Sequence, residues 1–217
     1  MKIAFDINDV LRNTYVKASE IYQKFYVDEF QEEKTSVFDE EKEEFIEIDL
    51  EDEFKYELNL PIKDKSNLIE NFKFKSEDDL NNFFYVDFPM QIFGHAPSSD
   101  SKTFQSLNEI YEDLRDDHNL SIISYEVLKS KPASLFFLSK YGCLIETIKF
   151  YSNTTFDNIW KDHEIIVTAD PEIIKSKPKN KTVIKLGTTY NKDFNADYEI
   201  SEINDLKDLY NQLKLKK

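Results

Sequence analysis

The chain has 217 residues, of which 40% are hydrophobic and 14% aromatic, and its formal net charge is −15. This length predicts one domain, or one domain with a large insertion, with enough apolar residues for a buried core. The single cysteine, Cys143, excludes an internal disulfide and a cysteine-based zinc site, and no apolar run is long enough to span a membrane.

The first predicted unit is a strand followed by a helix. Residues 2–7 form a short apolar run that ends in the polar turn Asn8-Asp9. Apolar side chains then recur at steps of three and four residues over 14–26, which predicts an amphipathic helix. Nothing in the first residues resembles a secretory signal, so we expect a protein that is not exported by that route.

Most of the net charge lies in the next segment. Between Asp28 and Glu57 there are fifteen acidic residues and three lysines, a net charge of −12, whereas the rest of the chain carries −3. A surface of this kind repels nucleic acid and anionic membranes, so we expect neither as a partner. It is either a solvated acidic face or a surface that meets a basic protein partner.

The rest of this segment, up to residue 100, has mixed character. Alternation at Ile46, Ile48 and Leu50 predicts a strand, and residues 66–74 and 76–85 predict two short helices. Residues 90–97 predict a strand or a loop. The aromatic residues fit a small core, with an exposed apolar binding patch as the alternative; they are Phe83, Phe84, Tyr85, Phe88 and Phe93.

From Thr103 onward the pattern alternates between helix and strand. The predicted helices are 103–117, 131–141, a short turn at 156–160, another starting at Pro171, and a last one capped by Ser201; the strands are 120–124, 145–150, 164–168, 182–186 and 198–200. This alternation predicts an α/β fold with a Rossmann-like parallel sheet covered by helices on both faces. The core domain is then 1–26 with 101–217, and 27–100 is an acidic, mixed α+β, cap-type insertion.

Polar residues follow three of the predicted strands. Asp6 and Asn8 follow the first, Ser124 ends the second, and Asp170 comes two residues after the strand Ile-Ile-Val-Thr. Since ligands bind outside the carboxyl ends of strands in open α/β sheets, these residues form the candidate site.

The residues around these positions resemble a known family. Phe-Asp-Ile-Asn-Asp-Val-Leu-Arg-Asn-Thr at 5–14 is similar to the first motif of the haloacid dehalogenase-like (HAD) superfamily, Asp-x-Asp-x-Thr/Val-Leu after a strand. Ser124 matches the second motif, and Thr168-Ala169-Asp170-Pro171 matches the fourth. The layout of 156–191 is similar to the deoxyribonucleotidase branch.

The resemblance implies a role for each of these residues. Asp6 takes the place of the carboxylate nucleophile that forms an aspartyl-phosphate, and Ser124 that of the hydroxyl that holds a phosphoryl oxygen. Asp170, with Asp6 and the backbone carbonyl of Asn8, would bind Mg²⁺. Asn8 replaces the second Asp, the general acid and base, and an amide cannot exchange a proton at neutral pH.

Two further departures weaken this site. Ala169 stands where a second acid is common, so the Mg²⁺ site is thinned. The family also has a lysine that pairs the nucleophile with the phosphate. Lys161 is the best candidate by order along the chain, and Lys131 and Lys140 are alternatives.

These residues are compatible with two functions. The first is a catalytically degenerate HAD-like domain that acts as a binding or assembly module, with a protein partner or oligomeric contact through 28–57. The chain is rich in Lys, Asn, Ile and Phe and poor in Gly, a bias typical of AT-rich genomes. A phage with such a genome fits as the source, so the chain is either a phage-particle component or a cytoplasmic protein. The alternative is a Mg²⁺-dependent phosphatase or 5′-nucleotidase acting on a phosphorylated small molecule through Asp6. A side chain such as Arg12 or Asp9 filling the gap beside Asp6 would favour the first.

Overall fold

The computed structural model describes residues 1–28, 36–39, 44–47, 56–60, 68–125, 127–151 and 156–214. Within these ranges no helix is long and apolar enough to cross a membrane.

Eight strands and eight α-helices are present in the described ranges. The strands are β1 Lys2–Asp6, β2 Ser36–Asp39, β3 Glu44–Glu47, β4 Asn119–Ser124, β5 Ile148–Phe150, β6 Ile165–Thr168, β7 Thr182–Leu186 and β8 Tyr198–Ile200. The helices are α1 Thr14–Tyr22, α2 Leu68–Asn71, α3 Glu77–Asn82, α4 Thr103–Leu114, α5 Ser130–Lys140, α6 Phe156–Asp162, α7 Pro171–Lys175 and α8 Asp205–Lys214. Three π-helical turns complete the set, at Gln23–Asp28, Phe83–Asp87 and Met90–Gly94.

Six strands form one parallel sheet in the order β5-β4-β1-β6-β7-β8. The first strand is central, with Asp6 opposite Ile123 of β4 and Phe5 opposite Val167 of β6. The strand order reverses at β1, which is the position where open α/β sheets leave a crevice at their carboxyl edge. The predicted Rossmann-like α/β fold is confirmed.

Both faces of the sheet are covered, as predicted. Alternate side chains of a strand point to opposite faces, so Phe5 joins one apolar cluster and Ala4 the other. Trp160 of α6 anchors the second cluster and is fully buried.

The first cluster also includes aromatic residues of the predicted insertion. Phe72 and Phe83 are completely buried in the same cluster as Phe5 of the central strand, so residues from the insertion and the sheet share one core. The predicted aromatic core of this segment is therefore confirmed. The boundaries at 26 and 101 stay predictions.

The acidic part of the predicted insertion contains a small two-stranded sheet. Strands β2 and β3 pair antiparallel, with Ser36 opposite Glu47. The strand predicted at Ile46, Ile48 and Leu50 is confirmed by β3 as far as Glu47. Residues 48–50 lie outside the described residues.

Of three predicted helix ends, the start of α3 and the end of α5 are confirmed. The Ser76 hydroxyl accepts a hydrogen bond from the backbone N–H of Asp79 and begins α3. Gly142 follows α5 with a φ of +66°, the left-handed conformation that favours glycine. At α8 the prediction was wrong: the helix begins at Asp205, whose carboxylate accepts from the backbone N–H groups of Ser201 and Glu202 before it.

The strand or loop predicted at 90–97 is a π-helical turn over Met90–Gly94. Its side chains Ile92 and Phe93 are buried beside α1 and α5, so tertiary packing decides its conformation. The turn leaves the Phe93 carbonyl facing the loop after β1, where it contributes to the candidate site.

Candidate functional site

The loop after β1 is a tight turn held by its own backbone. The N–H of Leu11 donates to the Ile7 carbonyl at 3.1 Å, and the N–H of Asp9 donates to the Arg12 carbonyl at 2.8 Å. Asp9 has a φ of +56°, a left-handed conformation that is costly for most non-glycine residues. This turn carries the side chains of residues 8, 9 and 12 back across the end of the strand.

Two hydrogen bonds of the Asp9 side chain hold it in this conformation. Its Oδ1 accepts from the backbone N–H of Thr14 at 3.0 Å, at the first residue of α1. Its Oδ2 accepts from the Tyr190 hydroxyl at 2.7 Å. Burial and the Asp9 carboxylate raise the pKa of Tyr190, so the hydroxyl stays protonated and acts as the donor.

Asp6, the predicted nucleophile, is almost completely buried, with 2% of its surface exposed. Its Oδ2 accepts a hydrogen bond from the Thr168 hydroxyl at 2.8 Å, and its Oδ1 accepts from the Asn8 backbone N–H at 3.3 Å. The same Thr168 oxygen accepts from the Asp170 backbone N–H at 2.9 Å. A short chain of hydrogen bonds therefore links the ends of β1 and β6.

The Asn8 side chain is occupied as an acceptor. Its Oδ1 accepts from Arg12 Nη2 at 2.7 Å, from Arg12 Nε at 3.1 Å and from the Thr14 hydroxyl at 2.8 Å. Three donors around one amide oxygen fix the side chain in a single orientation. Asn8 thus acts as an anchor for Arg12 at the position where the HAD motif has its second acid.

Arg12 is completely buried. Its Nη1 donates to the Phe93 carbonyl at 2.9 Å and to the Ser134 hydroxyl of α5 at 2.7 Å. The guanidinium carbon lies 4.8 Å from the ring centre of Phe93 and 5.5 Å from that of Phe137, within the range of cation–π attraction. Arg12 therefore ties the loop after β1 to the turn at Met90–Gly94 and to α5.

Burial lowers the pKa of Arg12 to about 9, and the negative charges of Asp9 and Asp6 oppose that shift. The guanidinium is thus positively charged at neutral pH. It compensates carboxylates at the end of the central strand, which would otherwise be costly to bury.

Ser124 lies where the sequence predicts it, at the end of β4 beside β1. It is 1% exposed, and its hydroxyl oxygen is buried without a hydrogen-bond partner among the described residues. Buried hydroxyl groups nearly always have a hydrogen-bond partner, so Ser124 is the exception among the candidate site residues.

Asp170 is also brought to this edge of the sheet, but its side chain begins a helix. Its Oδ1 accepts from the backbone N–H of Glu172 at 2.8 Å and caps α7, with Pro171 at the first helical position. Asp6, Asn8, Ser124 and Asp170 are therefore brought to one edge, as expected for strand ends of a parallel sheet.

The structure does not bring Lys161 to this group. It lies in the last turn of α6, is exposed, and donates to Asn158 at 3.3 Å. A helix that precedes a parallel strand runs back along the sheet, so its end lies at the start of β6 and not at its carboxyl edge. Lys140 ends α5 in the same way and packs over the ring of Tyr141. Lys131, in the first turn of α5, lies over the ring of Phe150.

Thr168 and Thr14 lie within the motifs at 168–171 and 5–14, but the sequence assigns neither of them a role in the site. Both bind the predicted residues through hydroxyl groups, Thr168 to Asp6 and Thr14 to Asn8. Thr168 could have been found as the last residue of the strand that pairs with β1. Thr14 follows only from the tight turn of the loop.

No family model matches the chain, and no curated protein sequence matches it. Solved structures do. A putative HAD-like hydrolase from Burkholderia xenovorans aligns over 97% of this chain and 96% of its own length, with a TM-score of 0.52 and 11% identity. L-2-haloacid dehalogenase from Xanthobacter autotrophicus, with chloropropionic acid covalently bound, aligns over 97% and 98%, with a TM-score of 0.53 and 11% identity.

A third structure is the putative HAD-hydrolase YfnB from Bacillus subtilis bound to magnesium. It aligns over 97% of this chain and 98% of its own, with a TM-score of 0.51 and 13% identity. At this identity the likeness shows the fold. The chain therefore has the haloacid dehalogenase-like fold that its first motif predicted.

Proposed function

We propose that this chain is a catalytically degenerate domain with the haloacid dehalogenase-like fold, and that it serves as a binding or assembly module. The observation that carries the proposal is the buried Arg12 guanidinium, which donates twice to Asn8 Oδ1. In an active site of this design, that position holds a carboxyl group free to move a proton.

Proton transfer is the first function that this arrangement lacks. The Asn8 amide has no titratable proton at neutral pH, and its oxygen already accepts from Arg12 and Thr14. General acid–base catalysis typically contributes about 10²–10⁴-fold in rate, so its loss alone makes turnover slow. Asn8 and Arg12 instead fasten the loop to the neighbouring elements.

The residues at the strand ends also suit a Mg²⁺ ion poorly. Within the described ranges no group of three or more His, Cys, Asp or Glu side chains lies together, so the ion would have only the Asp6 and Asp170 carboxylates and backbone oxygen to bind. Asp170 uses one oxygen to cap α7, and Asp6 accepts from Thr168. The Arg12 guanidinium already supplies positive charge beside Asp6, which lessens the attraction for a cation.

The binding or assembly part of the proposal is supported by charge. Nearly all the net charge of the chain lies between Asp28 and Glu57. A block of this kind suits a basic protein surface, and repels nucleic acid and anionic membranes. We propose that it forms the contact with a protein partner or a further subunit, as in a phage particle or a cytoplasmic complex.

The catalytic part is tested by incubating the full chain with Mg²⁺ and a panel of nucleotides, sugar phosphates and p-nitrophenyl phosphate. We expect no phosphate release above that of buffer. Turnover that disappears in Asp6→Asn would contradict the proposal, since that variant removes only the nucleophile.

The converse variant, Asn8→Asp, separates loss of one residue from loss of the whole site. An aspartate keeps the acceptor for Arg12 and Thr14, so we expect a folded protein that still has no turnover and no Mg²⁺ binding by calorimetry. Restored activity would mean that the remaining site is intact and that Asn8 alone silences it.

The assembly part is tested by light scattering of the full chain. We expect a molar mass above that of the monomer that changes when Glu40, Glu41, Glu43 and Glu44 are replaced by Gln. A monomer with no affinity for basic proteins at low salt would contradict this part.

A second candidate function is a Mg²⁺-dependent phosphatase with Asp6 as the nucleophile, and one observation favours it. The Ser124 hydroxyl is buried at the carboxyl edge with no hydrogen-bond partner among the described residues, as expected of a hydroxyl that binds a phosphoryl oxygen. Under this alternative, Ser124→Ala would reduce a turnover that the first assay detects; where that assay shows none, the alternative fails.

A further inference from the structure

A large cavity lies beside the Asp6 group and is separate from it. Its volume is about 710 Å³, within the range of small-molecule sites. It is bordered by α1, by residues 58–60, and by the loops that follow β7 and β8. Among its described lining residues, Asp9 belongs to the loop after β1, but Asp6, Asn8, Ser124 and Asp170 are not included.

The wall of this cavity is mainly apolar and aromatic. Tyr15 and Tyr190 meet edge to face, with their ring centres 6.0 Å apart. Four aliphatic side chains complete the apolar wall: Val16, Leu58, Leu60 and Leu186. Such a surface gains free energy by covering the apolar body of a ligand.

The charged groups of the wall all have one sign. Four carboxylates line it, from Asp9, Glu20, Asp100 and Glu202, and among the described lining residues there is no Lys, Arg or His. Glu20 is paired with Lys17 at 2.8 Å. Glu202 has no ion-pair partner among the described residues, and its side chain is exposed at the edge of the cavity.

We propose that this cavity binds a small organic cation, an ammonium group carried on an apolar or aromatic body. Glu202, the lining carboxylate without an ion-pair partner among the described residues, attracts the ammonium group, while tyrosine rings suit both a cation and an apolar body. The negative wall also repels phosphate and carboxylate ligands. This proposal goes beyond the proposed function and does not depend on whether Asp6 is active.

Three probes of nearly equal size test the sign of the ligand charge. Calorimetric titration of the full chain would use 2-phenylethylamine, 2-phenylethanol and phenylacetate, which are cationic, neutral and anionic at pH 7. We expect the amine to bind more tightly than the alcohol, and phenylacetate not to bind. Equal affinity of the amine and the alcohol, or binding of phenylacetate, would overturn the proposal.

Variants then place the amine in this cavity. Glu202→Gln should weaken amine binding about 2- to 5-fold, as exposed ion pairs contribute modestly. Glu112→Gln on α4, which removes the same charge from an exposed position outside the cavity, should leave it unchanged. Equal weakening by both variants would mean that net charge, and not this site, decides binding.

A filling variant gives a test that does not depend on charge. Val16 is 55% exposed and lines the cavity, so Val16→Trp should fill part of it without disturbing the core. We expect amine binding to fall at least ~10-fold, because the cavity loses the volume that its apolar body occupies, with an unchanged melting temperature. Unaltered binding in this variant would overturn the assignment of the amine to this cavity.

Discussion

A polar network is buried at the carboxyl edge of the central sheet, where its strands end, and another at the amino edge, where they begin. The two networks differ in whether the buried group keeps its charge. At the carboxyl edge, the charged Arg12 lies among the polar and charged side chains of Asp6, Asp9 and Asn8. At the amino edge, His163 is 3% exposed and contacts the Tyr151 hydroxyl at 3.1 Å. Burial lowers the pKa of His163 to about 4, so it is neutral at pH 7.

The difference shows what burial does to a charge. Arg12 remains ionised because carboxylates and hydrogen-bond acceptors surround it. His163 loses its proton chiefly because burial disfavours its charged form; the positive charge of Lys149 lowers its pKa further, and the carboxylate of Asp162 only partly offsets this. A buried ion persists only where opposite charge and acceptors are provided, and the carboxyl edge provides both.

The largest expected effect is the loss of the charged network. In Arg12→Met, Asn8 Oδ1 loses two of its three donors, the Phe93 carbonyl loses its Arg12 donor, and the buried Asp6 carboxylate loses its counter-charge. We expect the free energy of unfolding in urea to fall by about 3–5 kcal/mol.

Arg115→Met is the matched control, because Arg115 is exposed and only 4.0 Å from Asp116 in a weak ion pair. It should change the free energy of unfolding by no more than about 0.5 kcal/mol. Equal effects of the two substitutions would show that Arg12 is not the centre of the network.

A smaller effect is expected from the hydroxyl that joins β1 to β6. Thr168→Val keeps the shape of the side chain but removes the donor to Asp6 Oδ2 and the acceptor of the Asp170 N–H. We expect a loss of about 1–3 kcal/mol, because the buried Asp6 carboxylate and the partly buried Asp170 N–H lose these hydrogen bonds. Thr182→Val on β7, at a partly exposed position, is the control and should be near neutral.

The smallest expected effect is the change in the free energy of unfolding with pH that His163 causes at the amino edge. Because the pKa of His163 is about 4 in the folded chain and near 6.5 when unfolded, the unfolded state binds more protons between these values. Stability is therefore complete above pH 6.5 and is lost as the pH falls toward 4. We expect this group to contribute about 1–2 kcal/mol of that loss, below the ceiling that the shift sets.

His163→Gln cannot gain this proton and should flatten that part of the curve of unfolding free energy against pH. His118→Gln is the control, since His118 lies partly exposed near the same edge. An unchanged slope in His163→Gln would mean that His163 does not stay neutral in the folded protein.

The sequence predicts the carboxyl edge far better than the amino edge, for a physical reason. Strand ends are visible as apolar runs that stop at Asp6, Ser124 or Thr168, and topology brings such ends together. His163, by contrast, stands between an acid pair at the start of a strand and has the pattern of a surface residue, although it is buried. Its burial depends on long-range contacts with Tyr151 and Ser121.

The same limit applies within the candidate site. The sequence marks Arg12 and Asp9 as candidates for filling the gap beside Asp6, but it does not show that Arg12 reaches Phe93 and Ser134 across the fold. Lys161 is the best candidate by order along the chain, and order does not show that α6 ends at the opposite edge of the sheet.

The proposed catalytic degeneracy predicts that Asp6 does not accept a phosphoryl group, and intact-mass measurement tests this prediction most directly. The full chain would be incubated with acetyl phosphate and Mg²⁺, quenched in acid and weighed, beside Asp6→Asn. We predict that the mass of the chain is unchanged. A gain of one phosphoryl group in the chain that is absent from Asp6→Asn would contradict this prediction.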